Sequence, residues 1–340
     1  MYRNPTADPS IIRYYTRPLY VAVKLRNKVI PTGKAPIADI YLINEENLKG
    51  RHNLKLALTD KQGNTLFEKS YSVKVEGGEQ FGQMLVEAVQ LPSIDTSGHF
   101  TLNAKLESNG AVKTTGFDKI FSVDLEDGAT LNGSVAVLEN DGVVGNFLSE
   151  YTNKKATQFT KDATATDVLI IGNQHEEGIA PELLKNILDR VEQGMSLIVL
   201  TQADKVAEQI DERLKRLPKF YDGEGIKRWG GNGRLFTGLS SVLTGLPQGE
   251  SMSWEYQCFY KGAHMGDPAH VQGIMLDYLG LDLIVALGNQ GSKNILTALG
   301  RIPLGKGEVT LSTLHLIPHL KSKEPNAVVA KKLLVNLLKY

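Results

Sequence analysis

The feature that most constrains the fold is a change of hydrophobic period part-way along the chain. From Leu19 to about Asp124 apolar residues recur at every second position: Val21, Val23 and Leu25, then Leu54, Leu56 and Leu58, then Phe100, Leu102, Ala104 and Leu106. Period two is the signature of strands that bury one face and wet the other. The runs are separated by Asp60-Lys61-Gln62-Gly63-Asn64 and Ser108-Asn109-Gly110, whose Gly and Asn residues tolerate the positive φ of hairpin turns. Six or seven short strands without an intervening helix predict an antiparallel β-sandwich of immunoglobulin type over 19–124. The Cys–Trp–Cys core of antibody domains is missing, so only the architecture is expected.

Beyond a polar link at 125–133, compact apolar runs alternate with helical patterns. Ser134 to Leu138, Asp167 to Gly172 and Ser196 to Leu200 read as strands covered on both faces. Val143 to Tyr151, Glu182 to Gln193 and Ala203 to Arg216 read as helices, the second opened by Pro181 and closed by Gly194. Strands and helices in this alternation predict a doubly wound parallel sheet of flavodoxin-like kind over 134–340. Regularity lapses between Lys219 and Gly273, then resumes with strands at Asp282 to Leu287 and Glu308 to Ser312 and a terminal helix at Ala327 to Leu338. A long irregular excursion in a compact domain points to a functional or docking role.

Composition narrows the partners. Lys+Arg and Asp+Glu are both 38 among 340 residues, so no net field steers the chain toward phosphates or anionic lipid, and neither a nucleic-acid partner nor a membrane is expected. Apolar runs are far shorter than the roughly 20 residues of a membrane span. Residues 1–10 lack the apolar stretch of a secretory signal, and Met1 is read as a boundary within a longer protein. A single cysteine, Cys258, excludes an intrachain disulfide and leaves the redox compartment open.

Two stretches resemble known proteins. Tyr14-Tyr15-Thr16-Arg17-Pro18-Leu19-Tyr20-Val21-Ala22-Val23-Lys24-Leu25-Arg26-Asn27 resembles the segment leaving the catalytic barrel in bacterial β-galactosidase-like members of glycoside hydrolase family 2. Gly238-Leu239 to Gly245-Leu246-Pro247, Met252 to Tyr256 and Ala298 to Gly307 resemble a class I amidotransferase-like domain appended to some of those enzymes. The resemblance implies that residues 1–18 are a linker from an upstream region, that the parent is a secreted or periplasmic glycosidase, and that the partners are its catalytic barrel, a second subunit or carbohydrate. It also implies that this chain has no catalytic residues, because the glycosidase carboxylates sit on a barrel of about 250 residues that has no place here. The pairs Glu45-Glu46 and Glu176-Glu177 read as solvated turn residues.

Residues that could carry chemistry each have a structural reading as well. Cys258 is the one thiol available to an amidotransferase, yet Tyr256, Gln257, Phe259 and Tyr260 are too bulky for a nucleophile elbow, which favours a buried thiol. Gly300 through Lys306 matches the first seven positions of a phosphate-binding loop, but Gly307 replaces Ser or Thr and a strand follows, so a tight turn is expected. Gly223-Glu224-Gly225 and Gly231-Asn232-Gly233 lack the third glycine of a dinucleotide fingerprint. His315 and His319 have i, i+4 spacing, though Pro318 argues against a helix, and His264, Asp267 and His270 are near a proline; no cofactor or metal is expected from either set. Trp229, after Lys227-Arg228 and before a glycine-rich stretch, together with Tyr221 and Arg228 forms a candidate contact or sugar-binding surface. Trp254 reads as a core or strand residue. The leading expectation is a non-catalytic accessory region; a carbohydrate-binding module and an independent amidotransferase-like hydrolase using Cys258 are the alternatives.

Overall fold

A computed structural model of the chain describes residues 9–125, 131–161, 166–175, 177–214, 219–221, 235–259, 273–275, 282–288 and 295–339. The chain divides into two compact units, Met1–Ser122 and Val123–Tyr340.

The first unit is a sandwich of eight strands: β1 (Leu19–Leu25), β2 (Val29–Pro31), β3 (Ile37–Asn44), β4 (Gly50–Asp60), β5 (Thr65–Val75), β6 (Gly82–Gln90), β7 (Gly98–Ser108) and β8 (Ala111–Val123). One sheet has the order β1-β3-β6 and the other β2-β8-β7-β4-β5. Register explains why the alternating residues form a core. Leu54, Leu56 and Leu58 of β4 stand opposite Leu106, Ala104 and Leu102 of β7, and all six are buried. Val21, Ile40 and Leu42 of the facing sheet join the same cluster. Each large aliphatic side chain so buried contributes about 1.5–3 kcal/mol.

The turns follow their chemistry. Asp60 closes the β4–β5 hairpin by accepting the Asn64 backbone N–H at 2.8 Å, and Gly63 takes φ 88°. Asn109 (φ 52°) and Gly110 (φ 78°) form the two-residue β7–β8 turn with both φ positive, as a type I′ hairpin requires. One expectation needs correction: four of the strands are 11 to 13 residues long rather than short. Within the segment read as a linker, Pro9–Tyr15 forms helix α1, whose Tyr14 ring lies 5.1 Å from Phe117, and Arg17 donates to the Thr115 carbonyl at 3.1 Å.

The second unit is built on a mixed sheet. Strands β9 (Val135–Leu138), β10 (Thr157–Gln158), β11 (Val168–Ile171), β12 (Ser196–Val199) and β18 (Gly307–Ser312) run parallel in the order β10-β9-β11-β12-β18. The remaining strands, β13 (Lys219–Tyr221), β14 (Leu235–Thr237), β15 (Gly273–Met275), β16 (Asp282–Gly288) and β17 (Ile295–Leu304), extend it by antiparallel pairing. The expectation of a wholly parallel sheet is thus corrected: β17 folds back on β18 through a hairpin, and the following additions are antiparallel.

Helices α2 (Val143–Tyr151), α3 (Pro181–Gln193) and α4 (Ala203–Leu214) lie within the parallel part of the chain, and the short α5 (Ile317–Leu320) and α6 (Val328–Lys339) close it. Leu184, Ile187, Leu188 and Val191 of α3 and Val206, Ala207 and Ile210 of α4 cluster with Leu169, Ile171, Leu197 and Val199 of the sheet. Ile170 and Ile198, which point to the opposite face, are buried too, so both faces are covered. Helix α6 is buried nearly all round, and its polar Asn336 is accommodated by donating to the carbonyls of Val242 and Thr244 at 2.8 and 2.9 Å.

Candidate functional site

In an open sheet of parallel strands, ligands bind at the carboxyl ends where successive connections leave in opposite directions. Here that point falls between β9 and β11, because the chain passes from β9 to β10 on one side and from β11 to β12 on the other. The loops are Glu139-Asn140-Asp141-Gly142 after β9 and Gly172-Asn173-Gln174-His175 after β11. Gly142 adopts φ 68° and turns the chain into α2.

Glu139 is 94% removed from solvent, being only 6% exposed. Its two carboxylate oxygens accept the backbone N–H groups of Val144 at 2.9 Å and Gly145 at 2.8 Å, the unpaired donors of the first turn of α2. Two glycines make room for it. A Cβ on Gly145 would lie 3.2 Å from Glu139 Oε1, and one on Gly172 would lie 3.0 Å from Glu139 Cβ and 3.1 Å from Oε2.

The neighbouring polar groups are bonded to one another. Asn140 N–H donates to the Asn173 carbonyl at 2.9 Å, and the Asn173 amide donates to Asp141 Oδ2 at 2.8 Å. Burial works to raise the Asp141 pKa, but the Asn173 amide, the Val143 N–H and the Lys321 charge together hold it below the usual carboxylate value. Gln174 donates to the Leu138 carbonyl, and Gln158 to that of Glu139 at 3.1 Å. The hydroxyls nearest the strand ends are likewise engaged: Thr201 donates to the Gly172 carbonyl at 2.6 Å, and Thr313 to that of Ala298 at 3.2 Å.

Cys258 lies elsewhere, in a 3₁₀ segment, Trp254–Phe259, that packs against α6. It is buried, and desolvation pushes the thiol up to about 12. The same segment contains Trp254, which is half-buried in a helical turn rather than in a strand, and Tyr256, whose hydroxyl donates to the Pro247 carbonyl.

The glycine-rich match at Gly300–Gly307 is a hairpin, with Leu304 opposite Gly307. Its glycines allow close approach to the end of α3 rather than to phosphate. A Cβ on Gly305 would sit 2.5 Å from Glu192 Cα, and one on Gly307 would sit 2.2 Å from the Met195 carbonyl oxygen. Lys306 N–H donates to the Glu192 carbonyl at 3.0 Å.

Pro318 does not prevent a helix at His319. It stands in the first turn of α5, where its missing N–H has no partner to lose. His315 is exposed outside that helix, whereas His319 is half-buried with its ring 5.8 Å edge-on from Phe259. Among the described residues no three His, Cys, Asp or Glu side chains are grouped to hold a metal ion. No described helix is long and apolar enough to cross a membrane. Glu45, Glu46 and Glu177 are exposed; Glu176, His264, Asp267 and His270 lie outside the described residues. So do Trp229 and Arg228, together with both short glycine matches at 223–225 and 231–233. Tyr221 ends β13, where it pairs with Gly273.

Sequence reading missed Glu139 because one acid after a strand resembles an ordinary solvated turn residue. The available signal was its setting: a strand end, a glycine three residues on at the helix entry, and further glycines at 145 and 172.

No protein-family profile matches the chain, and no curated protein matches it. Solved structures similar to parts of it include members of glycoside hydrolase family 2, which align with about half of this chain. One, from Bacteroides cellulosilyticus DSM 14838, aligns over 54% of this chain and 26% of its own at 14% identity, with a TM-score of 0.26. A β-glucuronidase of the same family aligns over 57% and 26% at 7% identity, with a TM-score of 0.25. A CARDB domain from Pyrococcus furiosus aligns over 31% of this chain and 93% of its own at 12% identity, with a TM-score of 0.24. The chain spans about a quarter of the length of the two family 2 proteins.

Proposed function

We propose that the chain is a catalytically silent accessory region of a larger β-galactosidase-like protein of glycoside hydrolase family 2, in which an immunoglobulin-like sandwich precedes a flavodoxin-like, amidotransferase-like α/β domain. Its role is to support the catalytic barrel, an oligomeric contact or substrate access. The observation that carries the silent reading is Cys258. The chain's one thiol is buried, has its pKa pushed up to about 12, and packs against α6 instead of standing at a strand end. The engagement of Thr201 and Thr313 by backbone carbonyls supports the same reading. The family assignment rests on the likeness of Tyr14–Asn27 and of the three later stretches.

Trp229, with Tyr221 and Arg228, is proposed as the contact surface, for the barrel or a second subunit in preference to free sugar. The test is to incubate the chain with aryl β-galactosides, and to titrate wild type and Trp229→Ala with galactosides and with the separately expressed barrel. Silence toward the glycosides, with barrel association weakened in the variant, is expected. Glycoside hydrolysis that survives removal of contaminating enzyme would overturn the silent reading. Saturable galactoside binding lost in Trp229→Ala would favour a carbohydrate-binding module.

A further inference from the structure

We propose that Lys69 guards the free edge of β5 and keeps the first unit from pairing, edge to edge, with a second copy of the chain. A strand at the end of a sheet presents N–H and C=O groups on which another strand can build, so each edge of a sandwich needs something that stops its extension. The two sheets have four edges, β1, β6, β2 and β5. Three of them are closed by their backbones. β2 is three residues long and ends in Pro31. β6 is distorted by register shifts against β3 and by Ala88 at φ 51°. β1 turns carbonyls toward β8, where that of Leu19 accepts the Thr114 hydroxyl at 2.8 Å and that of Val21 abuts Gly116.

β5 has no such obstacle. It is 11 residues long and pairs with β4 from Phe67 to Val75 without a register shift. Among the described residues no strand pairs with its other side, although near its end the Gln83 amide donates to the Lys74 carbonyl at 2.8 Å.

What sets β5 apart is the side chain at its middle. Lys69 stands opposite the buried Leu56 and therefore belongs to the inward face of the sheet, in line with Phe67 and Tyr71, which pack against the core. Because β5 is an edge, the Lys69 side chain stays exposed, with its ammonium 5.0 Å from the centre of the Tyr71 ring. A second β5 added so that the two cores run on would enclose that ammonium. It would also offer no counter-charge, since its own inward residues are Phe67, Lys69, Tyr71, Val73 and Val75. Desolvating two unpaired lysines opposes the pairing that the backbone would otherwise accept. The inference is independent of the larger protein to which the region belongs.

Lys69→Val should remove the obstacle while leaving a residue well suited to a strand. Lys69→Arg keeps the charge. Lys74→Val loses the same charge from the same strand on the opposite face, where the side chain is 71% exposed. Sedimentation velocity of the full chain over a range of concentrations compares these variants with wild type, and hydrogen exchange on peptides spanning β5 reports where contact forms. Association through another surface moves all four chains alike, so the difference between them is the measurement.

Lys69→Val is expected to associate at roughly one tenth of the wild-type concentration or less, with exchange in β5 slowed, while Lys69→Arg and Lys74→Val behave as wild type. Association of Lys69→Val equal to that of wild type, an equal gain in Lys74→Val, or association of Lys69→Val that leaves exchange in β5 unchanged would overturn the proposal.

Discussion

Replacing Gly116 by alanine should break the sandwich, and the geometry sets the scale. Gly116 is on β8 and Val21 on β1, strands of different sheets, and a Cβ at position 116 would lie 1.7 Å from the Val21 carbonyl oxygen and 2.7 Å from its carbonyl carbon. An ordinary carbon–oxygen approach is about 3.3 Å, so roughly 1.6 Å must be found by moving backbone, since no flexible side chain is there to yield. Moving β8 from β1 strains the bond that joins them, Thr114 Oγ1 to the Leu19 carbonyl at 2.8 Å, and the bond from Arg17, just before β1, to the Thr115 carbonyl, each worth about 0.5–1.5 kcal/mol. It also opens space beside Val21, which is 2% exposed. Overpacking and lost bonds together give about 3–5 kcal/mol, or a fall of roughly 12–20 °C in the Tm of a unit this size.

Both tryptophans, Trp229 and Trp254, are in the second unit, so fluorescence would report on the wrong half. Hydrogen exchange followed by mass spectrometry, on peptides spanning β1 and β8, reads the first unit directly. The control is Gly82→Ala, in the same unit, where a Cβ meets nothing within 4 Å and φ is not in the left-handed region; it should change stability by less than about 0.5 kcal/mol. Equal protection in Gly116→Ala and Gly82→Ala would refute the close crossing of β1 and β8 and the argument built on it.

Gly307→Ala should destabilise the second unit by about 2–3 kcal/mol in urea unfolding, because its Cβ would meet the carbonyl oxygens of Met195 at 2.2 Å and Val191 at 2.4 Å; magnesium–ATP should not restore it. Cys258 should resist iodoacetamide at neutral pH in the native chain and react at the rate of an ordinary thiol in denaturant, as followed by intact mass. His319 has its pKa lowered, first by burial and then by the charge of His315. Its native form therefore stays neutral where the unfolded chain takes up a proton. Stability should be complete above about pH 6.5 and fall as pH drops through that value toward the native pKa, a slope that His319→Gln should flatten in chemical denaturation.

How much of this was legible depends on whether local chemistry or long-range pairing decided the outcome. The alternation of Leu54, Leu56 and Leu58 is a local pattern, and it appears unchanged as the inward face of β4. Pro181 and Gly194 likewise frame α3, with Gly194 at φ 128°. Strand β17 was hidden because Gly300, Arg301 and Pro303 interrupt the apolar pattern that announces a strand. Its identity comes from its pairing with β18 and β16, which no window of sequence contains. Helix α5 was obscured by reading Pro318 as a breaker when its effect depends on position in the turn.

The candidate site was less legible than the fold for a further reason. Sequence motifs record which residue types are present, whereas the chemistry depends on what each group is bonded to. Gly305 and Gly307 have the composition of a phosphate cradle, but the backbone they admit is that of Glu192 and Met195. Thr201 has a hydroxyl at a strand end, but it faces the Gly172 carbonyl. Glu139 has the charge of a catalytic acid, yet it holds the first turn of α2 closed. A ligand could use any of these groups only by breaking a bond the domain makes with itself. Such a bond normally contributes about 0.5–1.5 kcal/mol, and more where a charge is involved. Side chains that stabilise this half of the chain are therefore the same ones that would have to be released for it to bind, and substitutions that free them should trade folding stability for affinity.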